Sequence, residues 1–388
     1  MKILMINSVC GIRSTGRICT DIADALEKQG HEVKIAYGRF DVPEQYKKYA
    51  VKIGNQLGVY FHAGEALLMD NSGMLSKNVT VKFIEWVKEY NPDVIHLHNI
   101  HGYYIHVPTL FNYLKECNKK ILWTLHDCWT FTGHCAYFDF VDCKKWKTGC
   151  FHCELKHEYP PSVLLDRSKE NYLVKKNMFT GISNMTLITP SKWLADLVKK
   201  SYLKEYDVKV IHNQINYNVF YPVASNLKEK YHILNKKVVL GVASIWEKRK
   251  GLDDFVQLSQ KLNEDYVIVL IGLNKKQLKS IPKNVIGIEH TSNVQELAQW
   301  YSCADVFLNL TYEDNYPTTN LEAIACGTPV ITYNTGGSPE SAKYYGMTVE
   351  KGNLEEVAEI VNKEQYKNCQ KEDIPDDFIS SYLQLYSL

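Results

Sequence analysis

The 388-residue sequence contains no stretch of eighteen or more consecutive apolar residues, so no segment is expected to cross a bilayer as a helix. The opening MKILMINSVCGI has one lysine, a brief apolar run and no small-residue cleavage site after it, and reads as a first strand rather than a leader. No low-complexity tract and no fixed-period repeat is visible, which sets aside solenoids and disordered arrays. Net charge is only +1, so no global field marks a nucleic-acid binder, and no nucleic-acid partner is expected. With neither leader nor span in view the cytoplasm is the expected location. Eleven cysteines there argue for thiols or metal rather than disulfides.

The length exceeds one ordinary core and suits two domains. Short β-type runs (KILMINS, EVKIAYG, DVIHLHN, KILWTLHD, MTLITPS) alternate with amphipathic stretches such as RICTDIADALEKQG, the pattern of a parallel sheet with crossover helices. The alternation pauses at 210–223, then resumes with KVVLGVASI, YVIVLIG, NVIGIEH, DVFLNL, PVITYN and GMTVE. The fold class is thus α/β, with two Rossmann-like doubly wound lobes and ligands expected beyond the carboxyl ends of the strands. The expected division is 1–205, 206–372, and a terminal helix at 373–388 that packs back on the first lobe. Charge is uneven: residues 115–204 hold 15 Lys and Arg against 9 Asp and Glu. That excess suits peripheral contact with an anionic membrane face or acceptor, and equally a plain solvated surface.

In LTYEDNYPTTNLEAIACGTPV, Pro317 suits a first helical position and leaves the amides of Thr318 and its successors free for phosphate. Glu322 falls one and a half turns into that helix, and Asp314 precedes it in the loop with Asn315 and Tyr316 between. Ionised carboxylates so placed accept well from vicinal hydroxyls. This stretch resembles the nucleotide-sugar site of retaining glycosyltransferases of family 4, which have the GT-B fold of two lobes facing across a cleft. Their E-x7-E pattern is matched as Asp314 to Glu322. The resemblance implies that Glu322 binds donor ribose and that Asp314 and the backbone after it face the transferred sugar. It also makes 1–205 the acceptor lobe and 206–372 the donor lobe.

VASIWEKRKGLDDF supplies the matching Lys-Gly as Lys250 and Gly251, whose cation would meet the donor diphosphate without a divalent metal. The family's arginine five residues earlier is replaced by Ile245, leaving Arg249 or Lys248 to substitute. In GIRSTGRI, at 11–18, Arg17-Ile18 stands where a Walker A loop needs Lys-Ser/Thr, so an NTPase is rejected, and no G-x-G-x-x-G follows the first strand. The resemblance makes Gly16 and Arg17 donor contacts. It places the active-site histidine at His126, with Asp127 orienting it or receiving the acceptor. A satisfied structural histidine is the competing reading. His96 and His98 share one face of a strand end and read as cleft lining.

At 128–157 a cysteine-rich insert carries Cys135, Cys143, Cys150 and Cys153 as C-x7-C-x6-C-x2-C. The spacing suits tetrahedral thiolate zinc, and a similar insert occurs in a subset of the family resembling capsule and exopolysaccharide enzymes. Loosely packed thiols and a redox role are the alternatives. The expected function is transfer of a sugar, with retention, from a UDP- or GDP-sugar to a glycan or polyprenyl-linked acceptor in bacterial surface polysaccharide synthesis, with no catalytic cofactor. Rival readings are a nucleotide-sugar epimerase and a catalytically silent nucleotide-sugar-binding subunit.

Overall fold

The computed structural model describes residues 1–387. The chain forms two compact units, one of Met1–His212 with Asp377–Leu388 and one of Asn213–Asp376. The sheet of the first unit holds β1 (Lys2–Ile6), β2 (Glu32–Tyr37), β3 (Ala50–Lys52), β4 (Val94–Leu97), β5 (Lys120–Thr124), β6 (Met185–Thr189) and β7 (Asp207–Val210). Its order is β3-β2-β1-β4-β5-β6-β7, and every pairing is parallel. The sheet of the second holds β8 (Lys237–Val242), β9 (Tyr266–Ile271), β10 (Val285–Ile288), β11 (Val306–Asn309), β12 (Val330–Tyr333) and β13 (Gly346–Val349), ordered β10-β9-β8-β11-β12-β13 and again parallel.

The central strands read as near-continuous apolar runs because helices cover both faces. In the helix Arg13–Lys28, for example, Ile18, Cys19, Ile22, Ala23 and Leu26 are buried, one stripe at helical spacing turned onto the sheet. All six strands read from the second half of the sequence are present. In the first half two were missed, β3 and β7. The latter, DVKV, is an edge strand bonded only to β6 and largely exposed, so it carries no burial pattern to read. Because β7 completes the first sheet, that unit runs to His212 rather than 205. The second unit likewise ends at Asp376 rather than 372.

The last helix, Phe378–Ser387, belongs to the first unit. Phe378, Tyr382 and Tyr386 recur every four residues and are buried in the cluster that contains Ile18, Cys19 and Ile22. Residues 128–157 are irregular, with short 3₁₀ turns at Trp129–Phe131, Asp139–Val141 and Lys145–Lys147. They enclose a small aromatic core in which Trp146 lies 5.3 Å from Phe131 and 5.1 Å from Phe138, ring to ring. Among the described residues no helix is long and apolar enough to cross a membrane.

Candidate functional site

In an open parallel sheet the strand order reverses at one point, and the loops that leave the two strands there diverge to opposite faces and open a crevice. In the second unit that point lies between β8 and β11. The loop after β8 carries Glu247 to Lys250, and the loop after β11 carries Thr311 to Pro317.

The two loops are bound to each other. The Lys250 ammonium pairs with the Asp314 carboxylate. Arg249 donates to the backbone oxygen of Glu313 at 2.9 Å and to Glu247 at 3.1 Å, and the Tyr312 N–H donates to the Arg249 carbonyl at 2.7 Å. Burial pushes the Asp314 carboxyl up, but Lys250 and Arg249 outweigh it and hold the group below the usual carboxylate range. Burial pushes the Lys250 ammonium down, an effect that Asp314 partly offsets. Two glycines allow this closeness. A Cβ on Gly251, at φ +73, would sit 2.1 Å from the Leu310 carbonyl oxygen, and one on Gly336, at φ +58, would sit 2.0 Å from that of Asp314.

Pro317 caps the helix Thr318–Ala325 rather than occupying its first position, which falls to Thr318. No side chain caps this helix, so the amides of the half-exposed Thr318 and Thr319 stay open, while that of Asn320 turns back onto the Pro317 carbonyl at 3.2 Å. Asn315 and Tyr316 are buried beneath the loop. Glu322 is 6% exposed, and its Oε2 accepts from the Tyr301 hydroxyl at 2.9 Å. Asn320 is anchored by Asn309 and by Ser341, each at 2.9 Å, which fixes the helix against β11.

In the first unit the order reverses between β1 and β4. Asn7 joins the two departing loops: its Oδ1 accepts from the Asn99 N–H at 3.1 Å and its Nδ2 donates to the Val9 carbonyl at 2.8 Å. The glycine loop is shorter than the sequence suggested, since the helix starts at Arg13. Gly16 is therefore buried in its first turns and Arg17 exposed upon it.

His126 follows β5, and its Nε2 lies 3.0 Å from Nδ1 of His98. Burial holds His126 down to about 4, with Asp127 acting the other way, and His98 lies well below the usual range for the same reason of burial. Nε2 of His98 is buried with no partner. The tautomer that strands no N–H puts the hydrogen on Nδ1, so that His98 donates to His126 and the His126 hydrogen sits on its own Nδ1.

Asp127 makes its hydrogen bonds to partners other than His126, on which its charge still acts. Its Oδ2 meets Nε2 of His101 at 3.0 Å and its Oδ1 accepts from the Trp129 N–H at 2.9 Å. His96 does not line an opening. It is fully buried, with Nε2 2.8 Å from the Thr124 hydroxyl and Nδ1 bonded to the Tyr386 hydroxyl of the last helix. Sequence reasoning missed His101, Tyr382 and Tyr386; the i, i+4 pair of tyrosines in SYLQLYS was the available signal.

The four insert cysteines line one small cavity, of about 20 Å³, with Phe138, Trp146 and Leu155. A hydrogen bond with Cys135 holds the Cys153 thiol down to about 7, and Cys150 accepts from the Gly133 N–H at 3.1 Å. As placed, the thiols do not make a ligand set: among the described residues no three His, Cys, Asp or Glu are grouped so as to hold a metal ion. The insert is tied down instead by His134, whose Nδ1 meets Asp70 at 2.5 Å, and by the buried Lys175, which donates to the carbonyls of Trp129 and Thr132 at 2.9 and 3.2 Å.

Residues 15–219 match the family description Glycosyltransferase Family 4, and residues 236–363 match Glycosyl transferases group 1. The colanic acid biosynthesis glycosyl transferase WcaC, so designated in Escherichia coli (strain K12), is 27% identical over 286 residues, covering 70% of this chain and 66% of the relative. The capsular polysaccharide biosynthesis glycosyltransferase CapM of Staphylococcus aureus is 26% identical over 186 residues, 43% of this chain and 48% of the relative. The chain thus spans between about half and just under two thirds of the length of these curated relatives. Among solved structures, the sucrose-phosphate synthase of Thermosynechococcus elongatus superposes with a TM-score of 0.69 at 15% identity, over 100% of this chain and 98% of the other. Anabaena Alr3699/HepE in complex with UDP does so at 0.67 and 15%, over 100% of both. At such identity these show the fold, which is GT-B. The match across more than half of its length shows that the chain belongs to glycosyltransferase family 4.

Proposed function

We propose that the chain transfers a sugar from a nucleoside diphosphate sugar to a hydroxyl of a glycan or polyprenyl-linked acceptor, with retention at the anomeric carbon, in bacterial surface polysaccharide synthesis. The observation that carries this reading is the Lys250–Asp314 pair beside the uncapped helix start at Thr318, beyond adjacent strands β8 and β11, with Glu322 the fifth residue of that helix. A diphosphate set against the open amides and the basic turn would leave ribose within reach of a carboxylate already fixed by Tyr301. Lys250 and Arg249 would offset the charge that gathers on the departing diphosphate. That phosphate can itself take the acceptor proton, so no protein nucleophile is needed. His126, neutral and held by His98, is suited to a sugar hydroxyl near the reacting carbon. The acceptor class is supported by the names of WcaC, of CapM and of a Campylobacter jejuni relative, N,N'-diacetylbacillosaminyl-diphospho-undecaprenol alpha-1,3-N-acetylgalactosaminyltransferase.

The test is a panel of UDP- and GDP-sugars screened for thermal stabilisation, where a ligand at 100 times its Kd adds about 2.7 kcal/mol. One nucleotide class should stabilise the wild type and leave Glu322→Ala unmoved. If no member of the panel shifts the wild type, and no nucleotide is released with or without acceptor, the proposal fails. Turnover of donor with no acceptor present would favour an epimerase.

A further inference from the structure

Three loops at the carboxyl edge of the first sheet converge on two arginines. The Gly38 and Arg39 N–H groups both donate to the Ser8 carbonyl, at 3.3 and 3.0 Å, which ties the loop after β2 to the loop after β1. The loop after β4 packs on both, since a Cβ on Gly102 would sit 2.7 Å from Cβ of Ser8 and 3.5 Å from Cδ of Arg39. The guanidinium groups of Arg13 and Arg39 lie 4.6 and 5.0 Å from the centre of one ring, that of Phe40, and Arg39 lies 5.9 Å from the ring of Tyr103. Aromatic faces attract these cations, but the cations repel each other. Among the described residues neither forms an ion pair with Asp or Glu, as Arg249 does in the other unit. Asp41, two residues after Arg39, is exposed, and its charge acts on Lys47 and Lys52. Arg13, Phe40 and Tyr103 also hold φ of +56, +62 and +64. Left-handed backbone at three bulky residues that meet in one place is strain of the kind that gathers at binding sites.

A neutral oxygen stands near the pair. His101 gives its Nε2 hydrogen to Asp127, so its Nδ1 is left to accept from the Tyr159 hydroxyl at 3.4 Å. Packing around that hydroxyl pushes it up and keeps Tyr159 protonated, while Arg39 and Arg13 act the other way from within electrostatic reach. With its hydrogen committed to His101, the Tyr159 oxygen can accept from a hydroxyl of a ligand. Guanidinium forks bind carboxylate and phosphate through paired hydrogen bonds. Two such forks, aromatic faces and one hydroxyl acceptor together suit a sugar that bears an oxyanion. We propose that Arg13 and Arg39 bind an oxyanion of the acceptor, a phosphate at its lipid link or a carboxylate on its sugar, and that Tyr159 takes a neighbouring sugar hydroxyl. Assignment to the acceptor rests on the transfer reading, in which the donor diphosphate belongs to Lys250 and the helix start at Thr318.

The experiment is calorimetric binding of small probes to the intact chain: glucose, glucose 1-phosphate, glucuronate, inorganic phosphate, UDP and GDP. Glucose 1-phosphate or glucuronate should bind at least roughly tenfold more tightly than glucose, and the preferred one identifies the source of the oxyanion. Arg13→Gln with Arg39→Gln should abolish that preference while Tm is kept, both side chains lying at the surface. Tyr159→Phe should weaken the preferred sugar anion roughly fivefold and leave inorganic phosphate unmoved. Equal binding of glucose and both sugar anions overturns the proposal, as does a preference that the double variant retains. A double variant that weakens UDP or GDP as much as the sugar anion overturns it too, because the oxyanion would then be the donor's. A wild type that binds neither UDP nor GDP, yet keeps the arginine-dependent preference, would support the oxyanion site and refute the transfer reading instead.

Discussion

Lys250 and Asp314 form an ion pair that locks the loop after β8 to the loop after β11. Both groups are largely withdrawn from water, so removing one partner leaves the other buried and uncompensated, at a cost of about 3–5 kcal/mol, whereas removing both costs far less. Lys250→Met and Asp314→Asn should therefore each lower stability more than the double variant does, as denaturant titration would show. Additive losses would mean that the pair is solvated and does not hold the loops.

Glu322 and Tyr301 make a second separable pair. Tyr301→Phe deletes a donor and keeps the ring among Phe220 and Phe307, so a loss of about 1 kcal/mol is expected. Glu322→Ala strands the buried tyrosine hydroxyl and should cost about 1–3 kcal/mol. Calorimetry with the stabilising nucleotide sugar should show at least roughly tenfold weaker binding for Glu322→Ala, since a charged acceptor is lost, and a smaller effect for Tyr301→Phe. Equal affinity in both variants would remove Glu322 from the donor site.

Burial holds His62 and His126 down to about 4 and His96 to about 3, and holds His98 well below its ordinary range. Between those values and about 6.5 the unfolded chain binds protons that the folded chain does not. The stability these neutral rings confer is complete above about 6.5 and is lost as pH falls through that window, each proton contributing about 1.4 kcal/mol per pH unit. Tm should fall steeply from pH 6.5 to 5, and His126→Asn should flatten the slope by about one proton. A Tm that is level over this interval would contradict the buried neutral row.

Zinc at Cys135, Cys143, Cys150 and Cys153 stands as a proposal resting on four thiols around one cavity, and it requires their side chains to rotate into a common ligand set. Protein purified without chelator is then expected to carry about one zinc per chain, and chelator to lower its Tm. Less than about half an equivalent, with Tm unmoved by chelator, would leave an insert held by its aromatic core and by Asp70 and Lys175.

The second sheet was readable strand by strand because each segment is either a continuous apolar run or is closed by Gly and Pro turns. The short edge strand DVKV was not, since exposure leaves no pattern in the residues. Glu322 and the Lys250–Gly251 turn stood out because their spacing is local. What was not legible is pairing at long range. That Lys250 would meet Asp314, that Asp127 would take His101 instead of His126, and that His96 would be sealed by Tyr386, 290 residues away, depends on how strands are ordered, which residue spacing does not record. The four cysteines were legible as a group, but the geometry of their sulfurs was not.

The closing helix Phe378–Ser387 fills the first unit's core after the whole of the second unit has intervened in the chain. During synthesis the surface around Ile18, Cys19 and Ile22 must therefore stay wet until Phe378–Ser387 emerges, whereas residues 213–376, which carry their own sheet and core, need nothing from that helix. A released chain truncated just before Phe378 should be cut by protease within residues 1–212 faster than within residues 213–376.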